Sequence, residues 1–299
     1  MKNTVFKGAA TAIVTPFEDD GRTIDFKSFA RIIDWQIEQG INALVIAGTS
    51  GEGSTLSDAE HREVLKFAVN QVAGRVPVIA GTGSNDIAYA IDLTIYACAI
   101  GCDAMLLVTP YYNKATQNGL YESFKAIAEV STKPCILYNV PSRTGCNLLP
   151  ATVARLAELP NIVAIKEASG NISQIAQVAA LCGDKIDIYS GNDDQIVPVL
   201  SLGGIGVISV LSNIMPKQTV EMCEAYLNGD TEKARRMQLD YLDLINALFC
   251  EVNPIPAKAA MAGLGWCKNI VRLPLTPMEQ KNQERLFSLM REQGLQVEG

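Results

Sequence analysis

One lysine of the sequence lies where it could act as a nucleophile. Lys166 directly follows residues 162–165, a short apolar run that is typical of a buried strand. Burial disfavours an ammonium group, and the neutral amine is the form that attacks a ketone carbonyl to give an imine. A lysine that reaches solvent or pairs with Glu167 would explain the same position, so the position alone leaves both interpretations open.

Imine chemistry also needs a group that moves protons, and two residues are candidates for it. His61 is the only histidine of the chain, but it lies on a predicted helix, and we interpret it as a partly exposed helix residue without a catalytic role. Tyr138 ends the predicted strand that precedes the Lys166 strand, so the two side chains could meet. Tyrosine also packs commonly in strands, so Tyr138 alone does not indicate a catalytic role.

Two loops have compositions that suit carboxylate binding. Residues 48–55 lie between a strand and a helix, and their glycines let backbone amides converge on an anion, although the Gly-Lys-Ser/Thr ending of a P-loop is missing. Arg143 lies in a turn after Tyr138, where its guanidinium group could hold a second carboxylate through two hydrogen bonds. A flexible connector and a surface ion pair are the alternative explanations.

These residues follow short apolar runs that alternate with amphipathic helical segments. Continuous apolar runs predict parallel strands buried on both faces, and eight of them predict a closed (β/α)8 barrel whose catalytic residues lie at the carboxyl ends of the strands. An open dinucleotide-binding sheet is the alternative, but Gly81-Thr-Gly83 lacks the third glycine of that motif. The runs cover residues 9–14, 43–47, 76–80, 104–108, 135–138, 162–165, 186–189 and 207–210.

Helix signals occur between the strands and at the end of the chain. Residues 25–39 carry an apolar stripe, and Ser57 and Glu60 form a capping box. After residue 210 only helical patterns follow, near residues 219–227, 232–249, 256–264 and 278–292. The prediction is an α/β protein of the TIM barrel class, with the catalytic barrel over residues 1–225 and a packed C-terminal helical extension over residues 226–299.

The composition excludes several classes of function. With 48% hydrophobic residues and a net charge of -7, the chain has material for a large core and no basic excess for nucleic acid or an anionic membrane. The start of the sequence lacks an apolar leader, so we expect a cytoplasmic protein. The eight cysteines form no C-x-x-C pair and are interpreted as reduced core residues, and no metal site is predicted.

Three motifs together resemble the dihydrodipicolinate synthase family of class I, pyruvate-dependent aldolases. They are Gly48-Thr-Ser-Gly-Glu52, Tyr138-Asn-Val-Pro-Ser-Arg-Thr-Gly145 and the strand that leads to Lys166. The resemblance extends over essentially the whole chain. It implies a barrel enzyme that binds pyruvate as a Schiff base and condenses it with aspartate 4-semialdehyde to 4-hydroxy-tetrahydrodipicolinate, on the lysine and diaminopimelate pathway, without a metal or organic cofactor.

The resemblance also implies the catalytic roles. Lys166 is the Schiff-base lysine and Tyr138 the proton donor and acceptor. Thr49 and Tyr112 complete a relay of hydroxyl groups, with Tyr112 reaching in from a neighbouring subunit. The resemblance therefore implies a homo-oligomer, expected to be a tetramer built from tight dimers.

Substrate contacts are implied at positions around this relay. Ser50, beside Thr49, matches the position that binds the pyruvate carboxylate, and it stands where the family commonly has a second threonine. Arg143 matches the residue that binds the carboxylate of aspartate semialdehyde. Gly191 and Ile208 match positions in the wall of the substrate site.

Some relatives carry a lysine feedback site at a subunit interface, and the resemblance implies its place here. A glutamate often found there is Tyr89 in this chain, and a histidine position holds Asp58. Because the ammonium of the effector loses an anionic partner, we expect weak or absent inhibition by lysine. The candidate residues are Ser54, Asp58, His61, Asn85, Tyr89 and Tyr111.

Other functions share part of this pattern. N-acetylneuraminate lyases and 2-keto-3-deoxy-sugar-acid aldolases would share Lys166, Tyr138 and the glycine-rich loop, and Arg143 is what favours a short acidic aldehyde. A non-catalytic barrel that senses pyruvate or lysine would need no nucleophile, so the retained lysine argues against it.

Overall fold

Eight parallel strands close into a barrel in the computed structural model, which describes residues 2–298. Each strand pairs with its neighbours in sequence, and β1 pairs with β8 to close the ring. This confirms the predicted (β/α)8 barrel and rules out the open sheet. The strands are β1 (Gly8–Ala12), β2 (Ala43–Ile46), β3 (Val78–Gly81), β4 (Ala104–Val108), β5 (Cys135–Asn139), β6 (Ile162–Glu167), β7 (Asp187–Ser190) and β8 (Gly206–Ser209).

The strands are connected and covered by helices. The capping box predicted at Ser57 and Glu60 is present, with the Ser57 amide donating to the Glu60 carboxylate over 2.7 Å. Within residues 2–298, three short 3-10 helices, Gly53–Thr55, Asp193–Gln195 and Leu211–Asn213, lie near the carboxyl ends of strands. The α-helices of the described residues are α1 (Phe26–Glu38), α2 (Asp58–Val72), α3 (Ile87–Ala99), α4 (Gln117–Val130), α5 (Pro141–Thr144), α6 (Pro150–Leu156), α7 (Ile172–Cys182), α8 (Ile196–Ser201), α9 (Pro216–Leu227), α10 (Thr231–Asp240), α11 (Leu242–Ala247), α12 (Ile255–Gly263) and α13 (Gln280–Glu292).

The helical stretch predicted near residues 232–249 forms two helices, α10 and α11. The helix is interrupted at Tyr241, where φ is -93° and ψ is -1°, and α10 and α11 lie on either side. The Gln293 side chain, just after α13, donates to the carbonyl of Asp240 immediately before the break. Helix α11 packs against α13, a contact that the apolar pattern of residues 232–249 does not record.

The strands are buried on both faces, as their continuous apolar runs predicted. One layer of side chains fills the barrel, and a larger layer lies between the strands and the helices. At the amino-terminal end of the barrel, the Tyr189 ring stacks on Phe6 with centroids 4.3 Å apart, and its hydroxyl donates to the Phe6 carbonyl over 2.7 Å. This contact fills the barrel interior away from the strand ends that carry the candidate site.

The cysteines are only partly core residues. All eight are free, and five are buried, but Cys98 and Cys267 are half-buried and Cys250 is exposed. Cys250 follows α11 in a loop at the mouth of the barrel, so its apolar neighbours in the sequence do not bury it. Burial raises the pKa of the Cys102 and Cys135 thiols to about 12, which keeps them protonated.

A buried ion pair joins the C-terminal helices to the glycine-rich loop. Lys258 Nζ of α12 lies 2.6 Å from Glu52 Oε1, and both side chains are almost completely inaccessible to solvent. The same ammonium donates to the Ile270 carbonyl over 2.6 Å, and the Arg272 amide donates to the other Glu52 oxygen over 2.9 Å. The Phe17 ring lies 3.9 Å from Lys258 Nζ and 4.3 Å from the Arg272 guanidinium. The C-terminal helices therefore pack on the site end of the barrel.

The division of the chain at residue 225 stays a prediction. Helix α9 crosses that position and packs on β1, α10 and the 3-10 helix Leu211–Asn213.

No helix within residues 2–298 is both long enough and apolar enough to cross a bilayer.

Lys258→Met should lower the free energy of unfolding by about 3–5 kcal/mol, because it leaves the Glu52 carboxylate buried without its partner. Chemical denaturation measures this change. The matched control is Lys268→Met, which removes an exposed ion pair with Glu18 and Asp19 and should cost no more than about 1 kcal/mol. A double Glu52→Gln/Lys258→Met variant should be more stable than Lys258→Met alone. Equal stability of Lys258→Met and the wild type would contradict the assigned role.

Candidate active site

Lys166 and Tyr138 face each other across neighbouring strands. Strands β5 and β6 pair with Tyr138 opposite Lys166, and Lys166 Nζ lies 4.3 Å from the centroid of the Tyr138 ring. Lys166 is 5% exposed. The Glu167 carboxylate instead accepts hydrogen bonds from Asn139, Ser169 and Gln174, so it is not the partner of Lys166. The prediction that Lys166 and Tyr138 meet inside the barrel is confirmed.

These two side chains line a cavity of about 670 Å³ at the carboxyl ends of the strands. The cavity adjoins a second one of about 410 Å³, and Thr49, Tyr138 and Arg143 line both. Gly191 forms part of the first wall, where an added Cβ would lie 3.1 Å from Lys166 Cε and 2.6 Å from the Ala168 methyl group. A side chain at this position would therefore collide with the Lys166 stem.

The glycine-rich loop folds back on the end of β2. A Cβ at Gly53 would lie 2.2 Å from the Ala47 carbonyl oxygen, so glycine is required there by close backbone approach. The amides of Glu52 and Gly53 donate within the loop, to the carbonyls of Thr49 and Gly48. Those two amides are thus used for the loop itself and not for an anion.

Asn253 connects the two positions predicted to bind carboxylates. Its side-chain Nδ2 donates to Ser50 Oγ over 3.0 Å, and its backbone carbonyl accepts from Arg143 Nη2 over 3.1 Å. Ser50 is buried, whereas Arg143, on the short helix α5, is exposed at the rim of the cavity. The cavity that Lys166 lines therefore also has a buried hydroxyl and a guanidinium in its wall. Sequence analysis missed Asn253, because nothing in its local sequence distinguishes it.

Two predicted residues lie outside this cluster. Tyr112 lies in the loop after β4 with a φ of 75°, and its side chain is 89% exposed. In this single chain it does not reach Lys166. Ile208 is fully buried in the apolar layer inside the barrel, in the same cluster as Tyr138.

His61 is buried, so the expectation of a partly exposed helix residue was wrong. It lies on the inner face of α2, where its Nε2 is 3.0 Å from the Gly81 carbonyl oxygen and its Nδ1 is 3.4 Å from the Tyr89 hydroxyl. Burial lowers the pKa of His61 to about 4, because the charged imidazolium would lose its hydration. The ring is therefore neutral at ordinary pH.

The predicted effector residues surround the second cavity, with one exception. Ser54, Asp58, His61, Tyr89 and Tyr111 line it. The Asp58 carboxylate is already bonded to Arg62 Nε at 3.0 Å.

Asn85 is the exception. It contacts a neighbouring loop through its carbonyl, which accepts from Asn113 Nδ2 over 3.0 Å.

Residues 5–293 match the model of the dihydrodipicolinate synthetase family. The chain belongs to this family. A relative from Caldicellulosiruptor bescii, 4-hydroxy-tetrahydrodipicolinate synthase, is 53% identical over 294 residues, which cover 98% of this chain and 99% of the relative.

Solved structures of the dihydrodipicolinate synthetase family superimpose closely on this chain. The chloride-inhibited dihydrodipicolinate synthase from Acinetobacter baumannii complexed with pyruvate is 45% identical, with a TM-score of 0.95 and coverage of 98% of this chain and 100% of that one. A monomeric dihydrodipicolinate synthase variant is 43% identical, with a TM-score of 0.95 and coverage of 97% and 98%. The barrel of this family member thus agrees with experimentally determined folds.

The buried histidine of this family member gives its stability a specific pH dependence. Unfolding returns the pKa of His61 from about 4 to about 6.5, so the unfolded chain gains a proton as the pH falls below about 6.5. The free energy of unfolding should therefore fall by about 3 kcal/mol between pH 6.5 and pH 4 through this residue alone. Denaturation of the wild type and His61→Gln across this range isolates the contribution, because the chain has no other histidine. Identical pH slopes for the two proteins would contradict a buried, neutral His61.

Proposed function

We propose that this chain is a 4-hydroxy-tetrahydrodipicolinate synthase, a lyase of the class I aldolase type that works through a Schiff base on Lys166. The observation that supports it most directly is the buried side chain of Lys166, whose Nζ lies 4.3 Å from the centroid of the Tyr138 ring and which lines a cavity with Ser50 and Arg143. The relative from Caldicellulosiruptor bescii carries the same activity in its name. The substrates of the proposal are pyruvate and L-aspartate 4-semialdehyde.

The reaction begins with attack of the Lys166 amine on the C2 carbonyl of pyruvate. Water leaves as the C=N bond forms, and loss of a proton from C3 gives an enamine. The enamine carbon then attacks the aldehyde carbon of the semialdehyde and forms the new C–C bond. The amine of the second substrate finally attacks C2, closes the ring and releases Lys166. The lysine supplies the electron sink, so the proposal requires no metal or organic cofactor.

Tyr138 and Thr49 move protons in the proposed reaction. Tyr138 is held opposite Lys166 by strand pairing, and Thr49 borders both cavities beside it. We propose that Tyr112 completes the relay from a neighbouring subunit, because the residue is 89% exposed in the single chain. This requires at least a dimer, and a tetramer of two dimers is the assembly we propose. The monomeric variant among the similar structures indicates that assembly differs between relatives.

Ser50, Arg143 and the cavity wall select the substrates in this proposal. Ser50, held by Asn253, binds the pyruvate carboxylate close to Lys166, and Arg143 binds the carboxylate of the semialdehyde at the mouth. Gly191 and Ile208 limit the size of the bound group. Two carboxylate contacts suit short acidic substrates better than polyhydroxy sugar acids.

We also propose that lysine inhibits this enzyme weakly or not at all. Asp58 is bonded to Arg62, so its charge is partly neutralised before an effector binds. Tyr89 offers a hydroxyl, already 3.4 Å from His61, in place of a carboxylate.

The proposed location is the cytoplasm. The eight free cysteines suit a reducing compartment.

Borohydride reduction in the presence of pyruvate tests the Schiff base directly. We expect intact-protein mass spectrometry to detect one reduced pyruvate adduct, and peptide mapping to locate it on Lys166. Lys166→Ala should form no adduct, whereas Lys185→Ala, which removes an exposed lysine paired with Glu158, should react like the wild type. Folded wild-type protein without an adduct would refute the Schiff-base mechanism.

Arg143→Ala should impair the reaction with aspartate semialdehyde and leave the reaction with pyruvate unchanged. We expect kcat/KM for aspartate semialdehyde to fall about 10- to 100-fold, because a charge-assisted contact is lost, while the pyruvate adduct still forms. Arg155→Ala is the matched control, since Arg155 lies on the surface and contacts Asn118. Unchanged turnover of aspartate semialdehyde by Arg143→Ala would mean that the second substrate is wrongly assigned.

A further inference from the structure

A buried carboxylate lies directly behind Lys166 and Tyr138. Glu167 follows Lys166 in β6 and is fully buried, and side-chain alternation along a strand places it on the outer face of the barrel. Its carboxylate accepts from Asn139 Nδ2 at 3.1 and 3.2 Å, from the Ser169 amide at 2.8 Å and from Gln174 Nε2 at 3.2 Å. These three partners are uncharged donors, so the surroundings are built for an acceptor. The reaction proposed above makes no use of this group.

The contact between Glu167 and Asn139 joins the two strands that carry the reacting residues. Asn139 follows Tyr138 just as Glu167 follows Lys166, and the strands pair residue by residue at both positions. The inner faces of these pairs present the lysine and the phenol ring, and the outer faces present the carboxylate and the amide. A shift of the outer pair would therefore displace the inner pair.

The orientation of the Asn139 amide is fixed by its other contacts. Its Oδ1 accepts from the Leu148 amide over 2.9 Å, which turns its Nδ2 toward Glu167 and toward Asn147 Oδ1 at 2.9 Å. Gln174 and Asn147 exchange two further hydrogen bonds of 2.8 and 3.1 Å. Because Asn139 donates on the side of Glu167, only an acceptor at that position completes the network.

The backbone of Glu167 is hydrogen-bonded to the wall of the cavity. Its carbonyl accepts from the Gly191 amide over 2.8 Å, and Gly191 lies against the Lys166 stem. Glu167 is thus bonded to β5 through its side chain and to the segment after β7 through its main chain.

We propose that Glu167 is a positioning residue, whose contact with Asn139 fixes Lys166 and Tyr138 relative to each other for imine formation and proton transfer. The inference rests on the proposed Schiff-base function of Lys166. It assigns to the outer face of β5 and β6 a role in turnover that is separate from substrate binding.

Four variants test the inference: Glu167→Gln, Asn139→Asp, the double variant that combines them, and Glu129→Gln as an exposed control. Glu167→Gln brings an NH2 group against Asn139 Nδ2, so that two donors face each other. Asn139→Asp brings two carboxylates together, so that two acceptors face each other. Each should lower kcat up to about 100-fold, as expected when reacting groups are displaced. KM for pyruvate should stay within about threefold, since the substrate contacts remain.

The double variant provides the decisive comparison. Its new amide at position 167 would donate to its new carboxylate at position 139, so the contact is restored with its direction reversed. The Ser169 amide still meets an oxygen at position 167, and the Leu148 amide still meets an oxygen at position 139. The side-chain amides of Asn147 and Gln174, which bond to each other, must rotate together so that Asn147 donates to position 139 and Gln174 accepts from position 167. We expect kcat of the double variant to recover about tenfold over either single variant, a non-additivity that loss of two independent structural contacts does not produce. Turnover is measured together with the rate of borohydride-trapped adduct and the melting temperature of each protein.

The outcomes separate the inference from the function on which it rests. A wild type that forms no pyruvate adduct refutes the function. A wild type that forms the adduct, with Glu167→Gln turning over at the same kcat or losing activity only in proportion to its unfolded fraction, refutes the positioning role. If Glu167→Gln does not fold, the comparison of Asn139→Asp with the double variant decides, and a double variant no faster than Asn139→Asp overturns the inference.

Discussion

The candidate site depends on a carboxylate and an ammonium that meet where neither touches water. Burying each charge alone would be costly, and the pair persists because the Ile270 carbonyl and the Arg272 amide satisfy the remaining bonding capacity. Glu52 also has a left-handed backbone with φ of 53°, a conformation that a non-glycine residue holds only when its surroundings require it. The ion pair with Lys258 therefore determines where the glycine-rich loop lies, and the loop carries Thr49 and Ser50 into the cavity. Barrel and C-terminal helices form one site, although the sequence presents them as separate regions.

Because side chains alternate along a strand, the residues around Lys166 lie on two opposite faces of the barrel wall. The same two strand ends place a lysine and a tyrosine inside the barrel, and a glutamate and an asparagine outside it. Polar residues beside a reacting group are often assumed to take part in the chemistry. Here the outer pair is separated from the cavity by the backbone, so its influence passes through strand position alone. In the proposed function, the inner face supplies the reacting groups and the outer face fixes their positions.

Local features were predicted well because short stretches of sequence determine them. The eight strands, the capping box of α2 and the place of Lys166 at the end of an apolar run follow from periodicity and spacing within a few residues. Asn253 and Lys258 were missed, since they contact Ser50 and Glu52 from 203 and 206 residues away. His61 was assigned partial exposure because the periodicity of α2 does not reveal that Gly81 and Tyr89 pack over its ring. Long-range packing decides such positions, and a local pattern contains no record of it.

The aromatic contact between Phe6 and Tyr189 fills the amino-terminal end of the barrel interior. Tyr189 is fully buried inside the barrel, and its hydroxyl donates to the Phe6 carbonyl. Lys166 lies deep and Arg143 lies at the rim of the same opening. Under the proposed function, pyruvate bound at Lys166 lies behind aspartate semialdehyde bound at Arg143. The proposed reaction therefore implies that pyruvate enters before aspartate semialdehyde.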